Sequence, residues 1–196
     1  MRFLKEHSYD IVRLYINQIG ITIFSLLLYF SSSSLDGSIA LKLKVGVSVF
    51  ATLFYFVLLY TAAWDWGAND IIRIEGGRQK KNIFKGALLS VLSQVINFIL
   101  AGVCILTISL VMNGSEGANS VFFVFNLILR FTNAMYLGML QGIFASFEAD
   151  ANLYYLLHSI GYMVLPLLAI LATHIGYVFG LKNIKIFSSG KKKNNK

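Results

Sequence analysis

The sequence predicts an all-α fold: a polytopic helical integral membrane protein with five apolar helices, of which four or five span the bilayer. Three observations carry this expectation. Of 196 residues, 57% are hydrophobic and 13% charged, well above the roughly 45–50% apolar content of soluble domains. The apolar residues gather into five runs, 14–30, 43–63, 86–112, 120–147 and 154–180, each long enough to cross a hydrocarbon core of roughly 30 Å as a helix. None of the runs alternates as a barrel strand would, and backbone groups in lipid must bond within their own segment, so helices are forced.

The first run follows Arg2, Lys5 and Arg13 as a signal sequence would, but ends in YFSSSSLDG without a small-x-small cleavage site, and so reads as an uncleaved first helix. The second runs into TAAWDWGANDIIRIEGGRQKK, which reads as a loop. There Trp64 and Trp66 anchor the helix end at headgroup level, and Asp65, Asp70 and Glu75 alternate with Arg73, Arg78, Lys80 and Lys81. The third run holds Cys104, the single cysteine, so neither an intrachain disulfide nor a CxxC-type metal or redox site can form. The fourth is the weakest span, because it carries Asn126, Arg130, Asn133 and Gln141. The fifth leads into a basic tail. The organisation expected is one helical bundle over 1–181 and a Lys-rich cytoplasmic tail over 182–196.

Lysine and arginine near helix ends set orientation. There are three up to residue 13, two in 31–44, five in 64–85, one in 113–157 and six from 181 onward. The two richest stretches belong in the cytoplasm, which requires an even number of crossings between 86 and 180, where three apolar runs lie. The topology expected has four full crossings, both termini in the cytoplasm, and 120–147 re-entrant or incompletely inserted. A five-span chain that violates the charge rule is the alternative. The formal charge of +8 points to anionic lipid headgroups. No basic face interleaved with aromatics is present to stack bases, so nucleic acid is not an expected partner.

Candidate functional residues follow from cost. A charge near the bilayer centre costs about 3 kcal/mol on insertion scales unless it faces protein or water. Arg130 is therefore the sharpest residue. Its planar fork suits a carboxylate or phosphate; the structural alternative is an arginine satisfied by helix carbonyls or by Glu116, Glu148 or Asp150. Asn133, Asn126, Asn17 and Gln18 join it as candidate ligand or partner contacts, with interhelical hydrogen bonding as the plainer reading of Asn17 and Gln18. Ala134, Gly138 and Gly142 continue the Asn126/Arg130 stripe at four-residue steps, and Ala172, Gly176 and Gly180 form a second small-residue stripe. These two stripes are expected to pack together. His158 and His174 read as packed or interfacial histidines, and with His7 far away they make no metal triad. GxSxG, GxxxxGK[ST], HExxH and GxGxxG are all missing, and Gly76-Gly77 alone is too weak for phosphate, so no enzyme activity, cofactor or metal is expected.

NQIGITIF, the Trp64-x-x-Gly67-x-x-Asp70 spacing followed by a basic stretch and Lys85-Gly86, the NAMYLGML run around Tyr136, and the closing GYVFGLK are spread over most of the chain. Together they resemble small uncharacterised integral membrane proteins of clostridial and related Firmicutes. The resemblance implies a bacterial cytoplasmic membrane location and makes Trp64, Gly67, Asp70, Tyr136 and Gly138 parts of a recurring design; Asp65-Trp66 and Ile71-Ile72 depart from it. The first functional expectation is a non-enzymatic accessory module, whose loop (Trp64, Gly67, Asp70) and tail engage a membrane protein partner or lipid. The alternative is a small-solute carrier or solute-binding subunit with a polar site at Arg130.

Overall fold

The computed structural model describes residues 2–32, 37–145 and 150–185. Among them every regular element is helical. A short α1 (Arg2–Glu6) leads into α2 (Ser8–Ser32), then α3 (Gly37–Glu75), α4 (Lys85–Met112), α5 (Glu116–Thr132), a 3-10 turn (Ala134–Tyr136), α6 (Leu137–Phe144) and α7 (Ala151–Leu181). Four of these, α2, α3, α4 and α7, are long and apolar enough to cross a membrane, and α5 with α6 would make a fifth if the bent pair counted as one span. The chain is a multi-pass membrane protein.

Direction along the bundle is read from its contacts. Lys85, the first residue of α4, pairs with Asp70 near the end of α3, and Tyr177 near the end of α7 bonds the same carboxylate. The start of α4 and the ends of α3 and α7 therefore lie together. It follows that α4 ends, and α7 begins, at the opposite end of the bundle. The stretch from 113 to 150 leaves and returns at that same end, so α5 and α6 form a re-entrant unit rather than a crossing. The first and last described residues share the other end, with the 76–84 connection. The tail beyond 185 and Glu148 lie outside the described residues.

The 120–147 run is not one helix. It breaks at Asn133 (φ −123°, ψ 31°), and the two halves are bent by 82°. Asparagine invites a break, because its side chain competes for nearby backbone groups; here its Nδ2 donates to the Leu129 carbonyl one turn back. The stripe expected along this run is therefore split, with Asn126 and Arg130 on α5 and Gly138 and Gly142 on α6.

The two small-residue stripes do not meet each other. Both pack on α3. A Cβ at Gly138 would fall on the Lys44 carbonyl and Ser48 Oγ, and one at Gly142 on Val45, while Gly176 lies against the Tyr60 backbone and Gly180 against the Trp64 carbonyl. Ala134 is buried in the turn and Ala172 half-buried on α7. The reason is length: α3 has 39 residues, about 58 Å at about 1.5 Å each, so it serves as a spine that receives α6 near its start and α7 near its end. Residues 64–75 are correspondingly helix, not loop. The core stripe of α3 continues through Ala62, Ala63, Trp66 and Asp70 at three- and four-residue steps.

At the α3–α7 crossing, Gly67 leaves no room for a side chain; a Cβ there would fall on the Tyr177 carbonyl oxygen, with Leu181 N at 2.8 Å. Gly20 on α2 has nothing within 4 Å of a built Cβ. Gly67→Ala is expected to destabilise the bundle by about 1–3 kcal/mol through forced overpacking, while Gly20→Ala leaves stability unchanged or slightly raised. Thermal unfolding of both variants in the same detergent measures the contrast.

Candidate functional site

The helix break is held by an interhelical polar network near the middle of α2 and α4. Asn133 is fully buried, and Asn97, Gln94 and Gln18 are nearly so. Asn133 Nδ2 donates to Asn97 Oδ1 at 3.0 Å, Asn97 Nδ2 to Gln94 Oε1, and Gln94 Nε2 to the Tyr55 hydroxyl at 2.9 Å. From α2, Gln18 Nε2 reaches Asn133 Oδ1 at 3.4 Å, and Thr22 Oγ1 donates to the Thr132 carbonyl at 3.1 Å. From α3, Thr52 donates to the Met135 carbonyl at 3.4 Å, and Ser48 Oγ accepts from Gly138 N–H at 2.8 Å. An unmet backbone group in lipid costs several kcal/mol; side chains of α2 and α3 meet those freed by the bend, and Asn97 of α4 holds the Asn133 side chain. This joint is structural: its carbonyls are already engaged. Asn17 is half-buried on α2, and its side chain makes no hydrogen bond among the described residues.

A second buried polar group closes the other end. Lys85 Nζ lies 2.7 Å from Asp70 Oδ2, and the Tyr177 hydroxyl donates to the same oxygen at 2.8 Å. Asp70 is 2% exposed and Lys85 4%. Gly67 sits in the crossing directly above. Trp66 is buried, and Trp64 Nε1 donates to the Ile184 carbonyl at 2.7 Å, which ties down the end of α7. Of the residues expected to form a docking loop, Gly67 and Asp70 are therefore inside the bundle, turned toward α7 and α4 by the helical continuation of α3, while Trp64 is half-buried at its edge. Arg73, Arg78, Lys80 and Lys81 stay exposed beside them.

Arg130 differs from both groups. Its Nε is buried and has no hydrogen-bond partner, and its guanidinium carbon lies 5.5 Å from the centre of the Tyr155 ring. Among the described residues no carboxylate pairs with it. Glu116 opens the same helix about 21 Å away at about 1.5 Å per residue, and Asp150 is exposed at the start of α7. The face of α7 that carries Tyr155 also carries His158 and Tyr162, three and seven residues further on. His158 Nε2 and the Tyr162 hydroxyl are also buried and unpartnered, as is Asn126 Nδ2 one turn before Arg130. Unmet buried polar atoms cost about 1–3 kcal/mol each, and this region carries four of them: Arg130 Nε, His158 Nε2, the Tyr162 hydroxyl and Asn126 Nδ2.

Of the residues singled out from sequence, Asn133 and Gln18 thus share the joint, Arg130 and Asn126 share the arginine cluster, and Asn17 belongs to neither. Sequence reasoning passed over Tyr55, Gln94, Asn97, Lys85, Tyr177 and Tyr162. Gln94 and Asn97 gave a signal: they are the only amides of the 86–112 run and stand three apart, on one helical face.

No family model, no curated protein and no solved structure matches this chain.

Removing one partner of a buried ion pair strands the other charge. Lys85→Met is expected to cost about 3–5 kcal/mol, and Asp70→Asn/Lys85→Met to recover most of it, since an asparagine oxygen still accepts from Tyr177. Chemical unfolding of the single and double variants tests this; a double variant as unstable as the single would show that the pair's charges are not what matters.

Proposed function

We propose that the protein binds a small anionic solute at Arg130 and works as a non-enzymatic carrier or solute-binding membrane subunit. The observation that carries the reading is a buried, unpartnered guanidinium nitrogen over the Tyr155 ring of α7, with unpartnered His158 Nε2 and Tyr162 hydroxyl on that same face of the helix. A guanidinium offers several donors in a fixed fork suited to carboxylate or phosphate, and away from water each such bond is stronger than in solution. The position supports the reading too: Arg130 is one turn before the broken-helix joint, and broken helices at membrane depth mark binding sites in many transporters, a fold-level analogy.

The partner-binding reading, in which the Trp64–Asp70 region docks a second protein, loses the surface it relied on, because Gly67 and Asp70 face the interior. Exposed Arg73, Arg78, Lys80 and Lys81 suit anionic lipid headgroups instead. With Arg73, Arg78, Lys80, Lys81, Lys182 and Lys185 at the end that holds the first and last described residues, we place that end in the cytoplasm; the resemblance to clostridial membrane proteins supports a bacterial cytoplasmic membrane.

Thermal unfolding of the purified protein against a panel of small phosphates and carboxylates tests the proposal. Ligand at about 100 times its Kd stabilises by about 2.7 kcal/mol, so at least one anion is expected to raise the Tm by several degrees. Arg130→Ala is expected to stay folded and lose the rise, with Arg130→Lys intermediate. A wild type indifferent to every anion would overturn the reading. So would a response that appears only in Glu148→Gln, because the chain's own carboxylate would then be the partner of Arg130.

A further inference from the structure

His158 adds a chemical requirement to the anion site, one that rests on the proposal that Arg130 binds an anion. The imidazole is fully buried, flanked by the rings of Tyr154 at 4.1 Å and Phe144 at 5.1 Å. Its Nδ1 lies 3.0 Å from the Tyr154 carbonyl oxygen one turn back. A carbonyl only accepts, so Nδ1 carries the hydrogen. The other nitrogen, Nε2, is on the far side of the ring from that carbonyl, buried and unpartnered. With the Nδ1 hydrogen directed at the carbonyl, the neutral imidazole presents a lone pair at Nε2.

The cluster thus combines fixed donors on Arg130 with a fixed acceptor on His158. The Tyr162 hydroxyl, which can serve as either, is four residues along α7 on the same face as His158. An anion with acceptors alone, such as sulfate or a simple monocarboxylate, meets Arg130 but presses its own lone pairs against Nε2. An oxyanion that carries an O–H satisfies both at once.

We infer that the site selects oxyanions bearing their own O–H donor, the class that holds hydrogen phosphate, phosphate monoesters and hydroxycarboxylates. Arg130 takes the charge. His158 reads the hydroxyl. A phosphodiester lipid headgroup lacks the O–H and is disfavoured, whereas a lipid phosphomonoester fits the same chemistry as free phosphate.

The test uses the full chain in nanodiscs of neutral phosphatidylcholine and isothermal titration with two matched pairs: phosphate against sulfate, and lactate against propionate, at pH 7 and equal ionic strength. Leaving a buried acceptor unmet predicts that the O–H member of at least one pair binds about 10- to 100-fold tighter. Selectivity is expected to vanish in His158→Phe, with the weaker member of the pair little changed, and Arg130→Ala to abolish binding of both members. Equal binding within both pairs by wild type overturns the inference while leaving the anion reading in place; no binding of any anion overturns both. Selectivity retained in a folded His158→Phe also overturns it, and if that variant does not fold, the wild-type comparison decides. Discs doped with phosphatidic acid separate the two sources: loss of phosphate binding there assigns the site to the lipid monoester, unchanged binding assigns it to the free anion, and either supports O–H recognition.

Discussion

A helix that breaks inside a bilayer frees carbonyls and amides that no water can reach, and the arrangement of this bundle follows from how those groups at Asn133 are met. Thr22 and Gln18 come from α2 and Thr52 and Ser48 from α3, while Asn97 of α4 accepts from the Asn133 side chain itself. Each must arrive at one depth, so the joint sets the relative heights of three crossing helices. It also turns the chain back, which leaves α5 and α6 as a re-entrant unit inside a four-helix frame. Individually such bonds average under about 1 kcal/mol in measured membrane proteins. Their force here is collective, because removing any one leaves a buried polar group without a partner.

The close crossings do a different task. Gly67, Gly176 and Gly180 bring the α3 and α7 backbones into direct contact, and Gly86 admits the Tyr177 ring and Thr173 carbonyl against α4. With lipid as apolar as the side chains, packing of this kind supplies much of the attraction between helices. The same approach seats Tyr177 on Asp70 and buries the Asp70–Lys85 pair. A charged pair that reads from sequence as a solvated loop is instead the closure of one end of the bundle.

Against these satisfied groups the arginine cluster stands out. The joint and the closure meet most of their own polar atoms, the exceptions at the joint being Gln18 Oε1 and the Tyr136 hydroxyl. Around Arg130, several donors and acceptors stay unmet within one small region, on α5 and on the Tyr155/His158/Tyr162 face of α7. Burial of polar groups alone does not separate structure from function in this chain. Their satisfaction does, and it turns attention from the conspicuous Trp-rich stretch to the cluster at the opposite half of the bundle.

How far the sequence reaches is plain from particular residues. Apolar run length forces helices, and the polarity of the 120–147 run together with the distribution of lysines and arginines already demands an even number of crossings after residue 86. These are one-dimensional properties: length against bilayer thickness, and charge against position. Asn133 as the break, the assignment of both glycine stripes to α3, and the inward turn of Gly67 and Asp70 depend on which helix arrives at each face, which a four-residue spacing does not specify. Small-residue stripes mark a surface capable of close approach without naming its partner. The sequence by itself determined the solvent, the all-helical class and the presence of one costly arginine. Only the tertiary structure decided which buried polar groups meet one another and which do not, because hydrogen-bond satisfaction is a property of pairs of residues brought together from distant parts of the chain.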